Sequence, residues 1–114
     1  MLNHSDALDR MFHALADPTR RRVVEQLGRG SATVSELAKP LKMSLPSVLQ
    51  HLQILEESGL IRSEKVGRVR TCRIEPKALM RAEHWISRQK SIWEKRLDRL
   101  DAYLAEIDAK EKGG

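Results

Sequence analysis

Residues 35–59, SELAKPLKMSLPSVLQHLQILEESG, decide the fold, because they read as two short helices joined by a tight turn. Ser35 is predicted to cap the first of these helices, and Pro40 limits how far that helix can run. Lys42 and Met43 then form the bend. Two helices connected in this way form a helix-turn-helix, which we place at about residues 35–58, and the second helix of such a motif lies in the major groove of DNA.

The second helix of this motif has one apolar side and one polar side. Ser44 is a suitable N-cap, and Pro46 lies in the first turn, where its missing N–H costs little. The buried stripe is predicted to be Val48, Leu52 and Leu55, and Gly59 supplies a left-handed end. Because this second helix has no acidic residue before Glu56, the N-terminal half of its opposite face can approach phosphates. The residues predicted to read bases on that face are Ser44, Leu45, Ser47, Leu49 and Gln50.

Residues 61–75 combine a hairpin pattern with a dense positive charge. Two β-prone runs flank Gly67, and the segment holds five basic side chains against two acidic ones. A basic hairpin directly after a recognition helix is the wing of a winged helix, and its charge suits a DNA backbone. The side chains predicted to contact that backbone are Lys42, His51, Arg68 and Arg70. A chance excess of charge in a solvated hairpin is the alternative for the wing, and a hydrogen bond to a neighbouring backbone group is the alternative for His51.

The flanking segments predict further helices. A first helix starts at Ser5 or Asp6 and carries Leu8, Phe12 and Leu15 on one face, and Asp17-Pro18 begins a second helix. From about residue 77 to 110 the pattern is one long helix. Its apolar residues recur at intervals of seven, four, three, four and three, and they are Ile86, Trp93, Leu97, Leu100, Leu104 and Ile107.

This 3.5-residue repeat is typical of a seam between two helices, and it predicts a homodimer. The residues assigned to the dimer interface are Leu8, Phe12, Ile86, Trp93, Leu97, Leu100 and Leu104. Packing of the long helix against the first helix of the same chain is the alternative. The predicted fold class is therefore mainly α with a small β-hairpin wing. We expect residues 1–114 to form a single winged helix-turn-helix domain, with the wing at about 61–75 and a C-terminal dimerisation helix.

Composition excludes several functional classes. The chain has 114 residues, of which 40% are hydrophobic and 32% charged, and no apolar run is long enough to span a membrane. The N-terminal residues lack the pattern of a signal peptide, and Cys72 is the only cysteine, so a reducing cytoplasm is the expected compartment. No phosphate loop or catalytic constellation occurs, which argues against an enzyme.

Two side-chain types leave alternatives open. Cys72 lies between Arg70 and Arg73, which could depress its pKa and give it a redox role, although a strand cysteine is more often a packing residue. Trp85 and Trp93 fit a dimer core, with a ligand pocket lined by them as the alternative.

The order of elements and three segments resemble the ArsR/SmtB family of bacterial winged-helix repressors. The segments are ALADPTRRRVVEQL at 14–27, SELAKPLKMSLPSVLQHLQILEESGLI at 35–61 and GRVRTCRI at 67–74. The resemblance covers nearly the whole chain. It implies a dimer that binds a palindromic operator, usually one that overlaps its own promoter.

The chain departs from the metal-sensing members of that family. Those members carry a Cys-x-Cys pair near the start of the first helix of the motif, where this chain has Thr33 and Ser35, and neutral hydroxyls cannot replace thiolates for a soft metal. A second family site uses Asp and His pairs on the last helix, which here offers His84 with Glu83 beside it. The resemblance therefore points to a branch without the metal-sensing cysteines. We expect no metal and no cofactor, and the sequence identifies no inducer.

These observations predict a dimeric, sequence-specific transcriptional regulator, most simply a repressor, whose partners are double-stranded DNA and a second copy of the chain. The alternative is a protein-interaction module that recruits a partner through the long helix. The basic wing and the capped recognition helix favour the regulator.

Overall fold

The computed structural model describes residues 4–113, and it describes side chains from residue 6 onward. The helices are α1 (His4–Leu15), α2 (Pro18–Leu27), α3 (Val34–Ala38), α4 (Leu45–Glu57) and α5 (Pro76–Gly113), with a 3₁₀ turn at Lys39–Leu41. The strands are β1 (Ala32–Thr33), β2 (Ile61–Val66) and β3 (Val69–Ile74). The fold is mainly α with a small antiparallel sheet and a long last helix, so the predicted fold class is confirmed. The chain divides into two compact units, which meet in sequence between Ala82 and Glu83.

The starts of α2 and α4 follow the predicted capping chemistry. The Asp17 side chain accepts a hydrogen bond from the backbone N–H of Arg20, and Pro18 opens α2. Ser44 has an extended backbone, and its hydroxyl accepts from the backbone N–H of Ser47 in the first turn of α4. Each cap satisfies an N–H that the helix itself leaves unpaired, and so fixes where the helix begins.

The predicted cap of α3 is wrong, because Thr33 rather than Ser35 occupies the N-cap position. The Thr33 hydroxyl accepts from the Glu36 backbone N–H at 3.1 Å, and the Glu36 carboxylate accepts from the Thr33 backbone N–H at 3.2 Å. This reciprocal capping box needs a Glu three residues after the cap. Ser35 has no Glu at that spacing and lies inside the helix, where it is exposed.

The turn of the helix-turn-helix has the predicted features. After α3 the chain tightens into the 3₁₀ turn that contains Pro40, and Lys42 then adopts a left-handed backbone with φ of 53°. Gly59, just after α4, has φ of +83°, a conformation that side chains with a Cβ rarely adopt. Lys42 therefore lies in the bend before Ser44, the N-cap of α4, and Gly59 lets the chain leave the helix after its last turn.

The first unit is built around one apolar core. Its buried side chains include Met11, Ala14, Val23, Leu27, Leu37, Val48, Leu52, Leu55, Leu60, Ile61 and Cys72. From α1, Met11 and Ala14 are buried, whereas Leu8, Phe12 and Leu15, which the sequence placed on one face of this helix, are half-buried. Leu8 and Leu15 pack at the edge of the core.

The sheet is larger by one strand than the predicted hairpin. Its order is β1-β3-β2, with Ala32 opposite Cys72 on one side of β3 and Ser63 opposite Cys72 on the other. Gly67 forms the hairpin turn with φ of +63°, as the sequence indicated. The two-residue β1 is too short to produce an alternating pattern, which is why the sequence did not predict it.

Cys72 is a core residue, and the predicted depression of its pKa is wrong. Burial raises the pKa of the thiol, the nearby carboxylate of Glu56 raises it further, and Arg70 lowers it by less. A thiol with a raised pKa is a poor nucleophile. The packing interpretation of Cys72 is therefore the better one.

The second unit comprises the α5 residues from Glu83 onward. The predicted seam residues Ile86, Trp93, Leu97, Leu100 and Leu104 are each about half exposed. Two i,i+4 ion pairs, Lys90–Glu94 and Asp108–Lys112, lie along this helix. The helix continues three residues beyond the predicted end at 110.

We predict that Thr33→Ala lowers the free energy of unfolding by about 1 kcal/mol, because the N-cap of α3 is removed. Ser35→Ala is the matched control, and we expect it to change stability by less than about 0.5 kcal/mol, as exposed substitutions usually do. Urea unfolding at equal protein concentration measures both. A larger loss of stability for Ser35→Ala than for Thr33→Ala would contradict the assignment of the cap.

Candidate nucleic-acid interface

The outer face of α4 is exposed along its first three turns. Leu45 and Leu49 are 54% and 43% exposed, and Gln50 is also exposed. The opposite face is anchored by the buried stripe Val48, Leu52 and Leu55, as predicted. Because the stripe is fixed in the core, the orientation of the outer face is fixed as well.

The two serines at the start of α4 contact each other. The hydroxyl oxygens of Ser44 and Ser47 are 2.9 Å apart, so one donates to the other. Lys42 is exposed in the turn immediately before them. The first turn of α4 thus presents hydroxyls, a nearby ammonium and no carboxylate, which is a surface that an anionic backbone can approach.

Some basic side chains of the wing have polar partners within the chain, and others do not. The Arg62 guanidinium forms an ion pair with Glu75 at 2.7 Å. Arg70 donates to the Ser63 hydroxyl at 3.4 Å, and that hydroxyl donates to Glu56 on α4 at 2.8 Å. Lys65 and Arg68 are exposed near the hairpin turn, and neither forms an ion pair with another described residue.

The Glu56–Ser63–Arg70 chain joins the wing to the recognition helix, and sequence reasoning did not predict it. Ser63 and Glu56 are seven residues apart, as are Ser63 and Arg70. Only the register of β2 against β3 and the docking of β2 beside α4 bring the three together. No local sequence pattern signals such a contact.

An open groove of about 720 Å³ separates α4 from the wing. Four of the predicted DNA-contacting residues line it, namely Leu45, Leu49, Arg68 and Arg70. Residues that were not among the predicted DNA contacts also line it, among them Thr33, Gln53, Glu56, Ser63, Lys65 and Val69. The lining does not include Lys42, Ser44, Ser47, Gln50 or His51. The groove therefore combines apolar side chains with three basic ones and the carboxylate of Glu56.

His51 lies at the other border of this surface and is half-buried. Its Nδ1 is 3.3 Å from a guanidinium nitrogen of Arg20 and 3.8 Å from the Asp17 carboxylate, both on or beside α2. The backbone N–H of Arg20 is the main cause that lowers the pKa of Asp17; partial burial opposes this effect, and the nearby His51 and Arg20 side chains lower the pKa further. This contact of α4 with α2 was not among the alternatives considered for His51.

The residues predicted for the dimer interface are divided between the two units. Leu8 and Phe12 belong to the first unit, and Ile86, Trp93, Leu97, Leu100 and Leu104 belong to the second. Among residues 6–113, whose side chains the structure describes, no three His, Cys, Asp or Glu side chains are grouped as metal ligands would be. No helix between residues 4 and 113 is long and apolar enough to cross a membrane.

Comparisons with known proteins agree with this geometry. A family model described as a helix-turn-helix domain matches residues 15–64. The HTH-type transcriptional regulator Rv2034 of Mycobacterium tuberculosis is 42% identical over 71 residues, which are 62% of this chain and 66% of that protein. Two proteins named transcriptional repressors, SdpR of Bacillus subtilis and SmtB of M. tuberculosis, are 33% and 40% identical over shorter stretches. The chain spans about half to two thirds of the length of these relatives.

Solved structures extend the similarity to most of the chain. The crystal structure of the ArsR family transcriptional regulator RHA00566 is 52% identical, with a TM-score of 0.77, and the match covers 82% of this chain and 97% of that one. A solution structure of the homodimeric winged helix-turn-helix domain of Mb0332 from Mycobacterium bovis is 26% identical, with a TM-score of 0.61, and covers 76% and 82% of the two chains. These relatives are regulators rather than enzymes, in agreement with the sequence. On the fold, the capped recognition helix and these matches, the chain belongs to the ArsR/SmtB family of helix-turn-helix transcriptional regulators.

Proposed function

We propose that the protein is a dimeric repressor that binds a palindromic operator in double-stranded DNA. The observation that carries this proposal is the groove between α4 and the wing, where exposed side chains of a recognition helix face unpaired cations. A duplex supplies the matching chemistry, because base edges are read in the major groove while phosphates flank it.

We assign base reading to the N-terminal half of α4. Gln50 can form two hydrogen bonds with adenine, whereas Leu45 and Leu49 can contact thymine methyl groups but cannot donate or accept. Ser44 and Ser47 complete the reading face, because of the two hydroxyls in contact one can still donate and the other can still accept. Lys42, His51, Arg68 and Arg70 are assigned to the backbone.

We further propose that two chains associate through α5. Five large apolar side chains that recur at the coiled-coil period are each about half exposed. A partner helix would bury them, and burial of each such side chain is worth up to about 1.5–3 kcal/mol. The homodimeric state of the Mb0332 domain supports this assembly. We assign Leu8 and Phe12 of α1 to the same interface.

In this two-fold dimer, residues 1–114 of each chain would form one DNA-binding subunit. The dimer would therefore present two recognition helices. Such dimers bind half-sites about 34–36 Å apart, one turn of DNA, and the operator mirrors the symmetry of the protein. The relatives named repressors support repression as the outcome. We include autoregulation in the proposal, because family members usually bind beside their own promoters.

We predict that the double substitution Leu97→Glu and Leu100→Glu converts the dimer to monomers. Two carboxylates per chain would then lie in the seam, where burial without partners is costly. Sedimentation at micromolar concentration measures the change. The control is Arg88→Glu with Lys95→Glu, which alters charge on the same helix outside the seam and should leave the dimer intact. A wild-type chain that sediments as a monomer would refute the dimer.

We predict that Gln50→Ala reduces specific binding by about 1–3 kcal/mol and relaxes the preference at one position in each half-site. The measurement compares affinities for the cognate duplex and for duplexes altered one position at a time. Equal weakening on every sequence would reassign Gln50 to a backbone contact.

We predict that Arg68→Ala lowers the slope of log affinity against log salt by about 0.9 for each phosphate that the variant no longer neutralises. Arg62→Ala is the matched control, because its guanidinium already pairs with Glu75, and its slope should stay unchanged. Titrations of one duplex over a range of salt concentrations supply both slopes. If the slope and the affinity of Arg68→Ala equal those of the wild type, the wing does not engage DNA.

A further inference from the structure

Arg20 is a buried charged residue that caps the end of α1. It is 8% exposed, and no other charged residue with a described side chain is buried. Its Nε donates to the carbonyl oxygen of Ala14 at 2.7 Å, and its Nη2 donates to that of His13 at 3.1 Å. Both carbonyls belong to the last turn of α1, where a helix leaves acceptors without intrahelical partners. The His13 carbonyl also accepts from the backbone N–H of Ala16 at 3.2 Å. These two bonds explain why a guanidinium is tolerated in the interior.

The third contact of Arg20 reaches the recognition helix. Its Nη1 lies 3.3 Å from Nδ1 of His51. A guanidinium can only donate, so Nδ1 must be the acceptor and carries no proton. The neutral imidazole then has its proton on Nε2.

The Asp17 carboxylate would favour a proton on Nδ1 instead, but it is too far from Nδ1 to accept a hydrogen bond. Its Oδ2 is 3.8 Å from the same Nδ1, beyond hydrogen-bonding range, and it already accepts from the Arg20 backbone N–H at 3.0 Å. Arg10, His13 and Glu57 line a separate pocket between α1 and α4, whose lining does not include His51. None of these three forms an ion pair with His51 in the described part of the chain. Arg20 therefore determines the tautomer.

The second nitrogen of His51 has no hydrogen-bond partner among the described residues. Within those residues, no side-chain nitrogen or oxygen is fully buried without a hydrogen-bond partner, so Nε2 is not sealed from solvent. The His51 side chain as a whole is 19% exposed. His51 follows Gln50, a residue of the predicted reading face, on α4.

We propose that Arg20 is a positioning residue for DNA recognition: it holds His51 as the Nε2–H tautomer, so that the ring offers a hydrogen-bond donor to a DNA phosphate. The phosphate contact rests on the proposed function. The tautomer does not, because it follows from the contacts within the chain. A ring with its proton on Nδ1 would instead present a lone pair, which a phosphate oxygen repels.

The first test reads the tautomer directly in the wild-type chain. Long-range ¹H–¹⁵N spectra of the ¹⁵N-histidine-labelled protein, at about pH 8, where an ordinary imidazole is neutral, distinguish the two forms. The signals of His51 are identified by their disappearance in His51→Gln. We expect the proton on Nε2. A proton on Nδ1, shared with Asp17, would overturn the proposal without any need for a variant at position 20.

The second test compares two neighbouring arginines. Arg21 also caps the last turn of α1, through a bond from its Nη1 to the carbonyl of Leu15 at 2.9 Å, and that bond does not involve α4. We expect Arg20→Met to weaken duplex binding by about tenfold for each half-site, and Arg21→Met by less than about twofold. Circular dichroism confirms that each variant is folded. Equal weakening by the two substitutions would mean that Arg20 acts only as a cap.

The third test asks for a donor at position 51. His51→Gln keeps an N–H near the place of Nε2, whereas His51→Ala has none, so the first variant should retain most of the affinity and the second should lose it. Both should keep the wild-type salt slope, because a neutral donor releases no counterion. Equal weakness of the two variants would overturn the phosphate contact. Absence of duplex binding by the wild type would refute that contact and the proposed function together, and the spectra would still decide the tautomer of His51.

Discussion

The burial of one stripe of α4 is the constraint on which the rest of the surface depends. Val48 and Leu55 are fully buried and Leu52 nearly so, each against residues from other helices and strands. Because these positions recur every three or four residues, the opposite face of the helix has only one possible orientation, outward. The exposure of Leu45, Leu49 and Gln50 follows from that burial rather than from any property of their own.

Polar contacts then fix the helix along its length and join it to its neighbours. Ser44 caps its start, and Arg20 holds His51 near its middle from α2. Near its end, Glu56 accepts from Ser63, which in turn accepts from Arg70 of the wing. The reading face and the basic wing are therefore parts of one connected structure, and a protein that must match the spacing of base edges and phosphates needs such a connection.

Much of this architecture could be predicted from the sequence, because caps, turns and periodicity are local signals. The start of α2 at Pro18, the left-handed Gly59 and the hairpin at Gly67 were all predicted by such signals. Features that depend on tertiary packing were not predicted. The strand β1 exists only because β3 lies beside it, the raised pKa of Cys72 comes from the core around it, and the Arg20–His51 contact joins residues 31 positions apart.

Recognition of DNA by a dimer of this chain can be tested by footprinting the purified protein on the DNA upstream of its own gene. We expect two protected half-sites with two-fold related sequences, centred about one helical turn apart. We also expect competitor DNA of unrelated sequence to leave this protection in place at physiological salt. Protection of a single unpaired site, or uniform protection that competitor DNA abolishes, would contradict recognition by a dimer.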